Sequence, residues 1–94
     1  MTNTSVTPRV AQIGAGHWGK NLARNFAQLG ALAAVCDPHP DTAKREADAN
    51  GVPVRTVDEV LADPSIDGVS IAAPAELHAE LALKAFAAGK HVFV

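Results

Sequence analysis

Cysteine is almost missing from this chain. Cys36 is the single one, so no internal disulfide can form and no thiolate metal cluster is spelled out. Its place inside an apolar run marks it as a small core residue rather than a reactive thiol. Long apolar stretches are missing as well. Met1-Thr2-Asn3-Thr4-Ser5 is polar with nothing apolar behind it. That reads as neither a signal peptide nor a membrane span, and leaves the cytoplasm as the default compartment. No basic run stands out and the formal net charge is −2, so nucleic acid is not an expected partner. His17, His39, His78 and His91 share neither a helix face nor a metal-ligand spacing, and no metal site is expected. There is no internal repeat and no low-complexity segment. What is present is a chain of 94 residues, 48% apolar and 19% charged, suited to one globular domain with a modest core.

One glycine cluster stands out against these absences. Gly14-Ala15-Gly16-His17-Trp18-Gly19 reads G-x-G-x-x-G. Arg9 to Ile13 before it looks like a buried strand, and Trp18, Leu22, Phe26 and Leu29 after it recur at helical spacing. The glycines therefore fall where a strand ends and a helix begins, the context in which the pattern has chemical meaning. Gly14 allows the tight turn, Gly16 lets a pyrophosphate approach the backbone, and Gly19 lets helix and strand lie close. The unpaired N–H groups and dipole of the helix start favour a bound anion. The pattern also asks for an acid about 20 positions on, at the end of the second strand. Asp37 follows Leu32-Ala33-Ala34-Val35-Cys36, eighteen residues past Gly19.

Taken in order, residues 1–8 read as a flexible tail and residues 9–94 as the domain. Strands are expected near Arg9–Ile13, Leu32–Cys36, Val52–Val54, within Ile66–Ala72, and from His91 to Val94. Pro53 demotes the third to an edge. Helices are expected over His17–Leu29, Asp41–Asn50, from Thr56 to Ala62, and over Ala75–Ala88. Thr56 and Glu59 match a capping box. On the first helix, Trp18, Leu22, Phe26 and Leu29 should face the sheet. On the last, Leu77, Leu81, Ala85 and Ala88 line one face, and Lys84 can pair with Glu80. Alternating strands and helices predict an α/β, Rossmann-like, doubly wound parallel sheet. Its five strands run in the order 3-2-1-4-5 with helices on both faces, and the ligand crevice lies between strands one and four.

Asp37 also bears on which dinucleotide fits. A carboxylate accepts hydrogen bonds from a ribose 2′-OH and repels a 2′-phosphate. Pro38 and His39 bring no arginine for that phosphate, although Arg24 or Arg45 could reach. NAD is therefore expected over NADP.

The run Arg9-Val10-Ala11-Gln12-Ile13-Gly14-Ala15-Gly16-His17-Trp18-Gly19-Lys20-Asn21-Leu22 resembles the start of the Gfo/Idh/MocA oxidoreductases. Ala73-Pro74 with His78, and then Ala88-Gly89-Lys90-His91-Val92-Phe93-Val94, extend the resemblance over nearly the whole chain. Trp18 to Leu22 and Arg24-Asn25-Phe26 are closest to a subgroup acting on nucleotide sugars of the UDP-N-acetylglucosamine and uronate type, in surface-polysaccharide synthesis. The resemblance implies an NAD-binding domain. In it Gly14, Gly16 and Gly19 hold the pyrophosphate, with His17 and Trp18 adding backbone N–H groups, and Asp37 holds the adenine ribose. Ala73 and Pro74 match a Thr-Pro pair near the nicotinamide ribose, with the threonine hydroxyl lost, and Ala75 stands where many members carry Asn. His78 matches a family histidine, open to a nicotinamide-orienting or a packing role. Trp18 is open to packing on the sheet or to stacking on the cofactor.

In that family the strand matching His91–Val94 runs into Glu-Lys-Pro, whose lysine is catalytic, and a second α+β domain carries the substrate pocket. Neither is in these 94 residues. The resemblance therefore implies a C-terminally truncated dinucleotide-binding portion of a sugar or nucleotide-sugar dehydrogenase, without turnover alone and prone to self-association at its open sheet edge. Two alternatives stay open. One is a stand-alone nucleotide-binding or sensing module. The other is a methyl-transfer domain, which the third glycine disfavours.

Overall fold

The computed structural model describes residues 7–94. Of the expected tail over residues 1–8, only Thr7 and Pro8 are described, both exposed; the rest of that expectation lies outside the described residues. The elements run β1 (Val10–Ile13), α1 (Gly19–Gln28), β2 (Leu32–Cys36), α2 (Pro40–Asn50), α3 (Val57–Ala62), β3 (Gly68–Ile71), α4 (Ala75–Ala87) and β4 (His91–Phe93). The strands form one sheet in the order β2-β1-β3-β4, with every pairing parallel.

Among the described residues the expected five strands are thus four. Val52-Pro53-Val54 lies beside β2, where the order 3-2-1-4-5 puts it, but it contributes a single parallel bridge between Val54 and Val35. Two bonds make that bridge: Val35 N–H donates to the Pro53 carbonyl at 3.1 Å, and Arg55 N–H donates to the Val35 carbonyl at 3.0 Å. Pro53 has no N–H to extend the ladder. One residue past Arg55, Thr56 already caps α3.

Side chains alternate across the sheet. Ala11 and Ile13 of β1 join Cys36, Val69 and Ile71 in a core closed by Val60 of α3 and Ala85 of α4. On the opposite face a smaller cluster of Ala15, Val35 and Ala47 lies under α2, and α1 packs on β1 and β2 beside α2. Helices therefore cover both faces, and β1, β2 and β3 are buried along nearly their whole length, whereas His91 and Phe93 of β4 are exposed.

Two helices are turned differently from their sequence pattern. On α1, Gly19 and Ala23 face inward, Leu22 and Phe26 are half-buried, and Trp18 and Leu29 stay 73% and 71% exposed. Close approach of helix and strand at Gly19 puts the small residues, not the largest, against the sheet. On α4, Ala85 is buried, with Leu81 and Ala82 packed on the same core, while Leu77 and Ala88 face solvent. That stripe is the i, i+3, i+4 row beginning at His78 rather than at Leu77.

Local signatures at the helix ends hold. Thr56 Oγ1 accepts from Glu59 N–H at 3.1 Å, and Thr56 N–H donates to Glu59 Oε1 at 2.8 Å, so each satisfies an otherwise orphaned donor. Those bonds hold the Glu59 carboxyl below its ordinary range. Lys84 and Glu80 pair at 3.7 Å on α4. The buried Lys90 ammonium donates to the carbonyls of Asp63 and Ile66 at 2.6 Å each. It ties the start of β4 to the link between α3 and β3, and the two charge-assisted bonds offset the desolvation of the ammonium.

Candidate functional site

Three strand ends finish on one row. Ile13 stands opposite Cys36 of β2 and opposite Ile71 of β3, so one residue further on Gly14, Asp37 and Ala72 meet. Gly14 N–H donates to the Cys36 carbonyl at 2.7 Å, and Ala72 N–H donates to the Ile13 carbonyl at 2.8 Å. Gly14 has φ of +90°, and a Cβ on it would lie 2.9 Å from the Ala72 carbonyl. Both its conformation and its surroundings exclude a side chain.

The chain then turns into α1. Among the described residues the N–H groups of Gly16, His17, Trp18 and Gly19 make no main-chain hydrogen bond. No side chain among the described residues caps the helix, and its first turn holds no acid. Four free donors at the positive end of a ten-residue helix make a receptor for an anion. A Cβ on Gly16 would meet nothing within 4 Å, so that side of the loop is open. The rings of His17 and Trp18 are exposed and meet edge to face at 6.1 Å. Trp18 does not pack on the sheet.

Asp37 sits at the mouth of this turn with its side chain 8% exposed. Its Oδ2 accepts from Ala15 N–H at 2.8 Å, and its Oδ1 accepts from His39 N–H at 2.8 Å and faces His39 Nδ1 at 3.3 Å. Beside it opens a mostly apolar cavity of about 440 Å³, lined by Pro38, Pro40, Val54, Arg55, Thr56 and Val57 among others. Its mostly apolar wall with the Asp37 carboxylate among its lining suits a weakly polar ring that carries hydroxyls. Cys36 lies in its wall, and burial, with the charge of Glu59 adding, pushes the thiol up to about 12.

The remaining expected residues lie around the far side of the turn. Ala73 and Pro74 follow Ala72 directly, and Pro74 caps α4 through its main chain alone. His78 is one turn into α4, and its Nε2 is buried without a partner among the described residues. Arg24 and Arg45 do not reach the Asp37 cavity. Arg24 lies in a cleft between α1 and α2 with Lys20 and Glu46, and Arg45 pairs with Glu46 at 3.2 Å. The cation lining the Asp37 cavity is Arg55. Sequence reading passed over it because it stands eighteen residues from Asp37 and enters only through the Val54 bridge. Gln12 was passed over too, as one residue of an apolar strand. Among the described residues no group of three or more His, Cys, Asp or Glu is placed to hold a metal. No helix there is long and apolar enough to cross a membrane.

Known proteins share this arrangement. The Gfo/Idh/MocA description, oxidoreductase family with NAD-binding Rossmann fold, matches residues 8–94. Inositol 2-dehydrogenase of Rhizobium meliloti is 38% identical over 94% of this chain and 27% of its own length. The structure of UDP-N-acetylglucosamine 3-dehydrogenase GnnA from Acidithiobacillus ferrooxidans superposes with a TM-score of 0.86 at 32% identity, over 94% of this chain and 29% of that one. Scyllo-inositol dehydrogenase from Lactobacillus casei, solved with bound NAD(H) and scyllo-inositol, gives a TM-score of 0.82 at 27% identity, over 93% of this chain and 27% of that one. The chain thus spans little more than a quarter of the length of the relatives it matches. With its glycine turn, free helix start and strand-end carboxylate, it belongs to the Gfo/Idh/MocA oxidoreductases and corresponds to their NAD-binding Rossmann part.

Proposed function

We propose that these residues bind NAD(H) for an oxidoreductase acting on a CH–OH group of a polyhydroxylated ring, a sugar, cyclitol or nucleotide sugar. One observation carries the reading: an uncapped helix start with free N–H groups and a near-buried carboxylate on the next strand meet through Gly14 and Ala15. Gly16, His17, Trp18 and Gly19 offer main-chain donors to the diphosphate, and Asp37 takes the adenosine ribose. The cavity bounded by Pro38, Pro40 and Thr56 takes the adenine. Ala73, Pro74 and His78 border the nicotinamide end, where alanine in place of threonine leaves only main-chain contacts. The bound nicotinamide supplies the hydride acceptor, and this chain supplies its placement. Inositol and UDP-N-acetylglucosamine dehydrogenases both appear among the relatives. The Trp18–Leu22 run is the reason to favour a nucleotide sugar.

Asp37 sets the preference for NAD over NADP. A second negative group at ~4 Å costs about 4 kcal/mol per unit charge at an effective dielectric near 20, with Arg55 on the cavity wall as the opposing charge. Calorimetric titration with NADH, NADPH and S-adenosylmethionine tests the reading. NADH is expected to bind most tightly. NADPH binding as tightly as NADH would refute the Asp37 assignment, and preference for S-adenosylmethionine would refute the dinucleotide.

A further inference from the structure

The peptide group joining Gly14 to Ala15 is gripped at both ends by side chains from different strands. Gln12 Nε2 donates to the Gly14 carbonyl oxygen at 3.1 Å, and Ala15 N–H donates to Asp37 Oδ2 at 2.8 Å. The C=O and N–H of a trans peptide point in opposite directions. A donor on one side and an acceptor on the other therefore specify its orientation. Turned over, the group would set its carbonyl against the Asp37 carboxylate, and its N–H would meet the Gln12 amide hydrogens unless that amide rotated to present Oε1. The preceding residue is a glycine at φ +90°, where the chain by itself resists such a turn least.

Gln12 is an expensive way to fill its position. It is fully buried, at 0% exposure, and its Oε1 has no partner among the described residues. An unmet buried acceptor destabilises a fold, whereas an apolar side chain of equal length would not. The other residues of β1 are the apolar Val10, Ala11 and Ile13. The amide is thus poorly explained by packing and well explained by the peptide it holds. That peptide leads directly into the free donors at Gly16 to Gly19.

We infer that Gln12 is a positioning residue for the diphosphate of the dinucleotide. It acts through the Gly14 carbonyl and in concert with Asp37, whose carboxylate orients the turn as well as receiving the ribose. This inference rests on the NAD reading above.

The 94-residue chain serves for the test, with amide NMR titrations of NADH and of adenosine and a thermal melt. Gln12→Met keeps the length and removes the donor. Gln12→Glu, assayed at pH 6, restores a donor, because burial keeps the carboxyl protonated. Gln12→Met is expected to weaken NADH about tenfold, the scale of one lost hydrogen bond near charge, with adenosine affinity unchanged and the melting temperature equal or higher. Gln12→Glu is expected to recover NADH affinity. The inference is overturned if Gln12→Met binds NADH like the parent, if it loses NADH and adenosine in the same proportion, or if Gln12→Glu fails to recover. A parent chain that binds no NADH overturns the NAD reading and this inference together. Normal NADH binding by both the parent and Gln12→Met overturns this inference alone.

Discussion

Gly19 seats against Gly14 so closely that a Cβ on Gly19 would overlap the Gly14 carbonyl oxygen. The neighbour is backbone already bonded to Gln12, so it has nowhere to go. Gly16, three residues earlier, faces open space. Two substitutions of the same size should therefore separate folding from binding. Gly19→Ala is expected to cost about 3 kcal/mol or more in urea denaturation, as overpacking against rigid backbone does. Gly16→Ala is expected to melt with the parent and to weaken NADH about tenfold, ~1.4 kcal/mol, since only a ligand would meet the new methyl. Equal stability of Gly19→Ala would mean that α1 can back away from the sheet.

Asp37 has two tasks that substitution can divide. Asp37→Asn keeps an oxygen for the Ala15 N–H and removes the charge. Its NADH affinity is expected to fall by about ten- to a hundredfold, matching the ~1.5–3 kcal/mol of hydrogen bonds to a charged acceptor. NADPH affinity should fall less, because the repulsion of the 2′-phosphate disappears. Asp37→Ala frees the Ala15 N–H as well and should weaken both cofactors further. Paired titrations with NADH and NADPH check this; an unchanged ratio in Asp37→Asn would remove the carboxylate from cofactor choice.

The Cys36 thiol makes stability fall in alkali. Burial raises it from an ordinary 9.0 to about 12, so the unfolded chain ionises first. Its contribution is whole below pH 9.0 and is lost as pH rises towards about 12, at up to about 1.4 kcal/mol per pH unit. Between pH 8 and pH 10.5 the parent should lose more melting temperature than Cys36→Ala. In the folded protein at pH 8 the thiol should resist iodoacetamide. Rapid alkylation under native conditions would contradict its burial.

Among the described residues β4 is a short strand paired on one side. β4 bonds to β3, and Phe93, Val94, Phe86 and Leu83 are exposed at that end. We propose that this edge drives self-association. Light scattering over a wide concentration range is expected to show mass rising with concentration, and the double variant Leu83→Lys with Phe86→Lys should stay monomeric. A monomeric parent at the highest concentration would count against this.

Features set within a few residues were legible in advance. The capping box at Thr56 and Glu59, the Glu80–Lys84 pair and the β2 boundaries at Leu32 and Cys36 needed only neighbours in the chain. So did the placing of Gly14 to Gly19 between a strand and a helix. Features set by distant backbone were not. Apolar spacing counts large residues on a helix face, but it does not measure how near two backbones must come. It therefore turned Trp18 and Leu29 inward, where the structure has Gly19 and Ala23.

By itself, then, the sequence determined the alternation of strand and helix, and with it a parallel sheet whose loops gather at one end. The glycine spacing and the acid after β2 are local patterns, and they carried the family. Only the tertiary structure decided that Val52–Val54 makes one bridge rather than a strand, and that Arg55, not Arg24 or Arg45, lines the Asp37 cavity. It alone brought Gln12 and Asp37 to opposite ends of a single peptide. Hydrogen bonds between residues twenty-two apart, as from Ala15 to Asp37, depend on how neighbouring strands are registered, and register is a property of the assembled sheet.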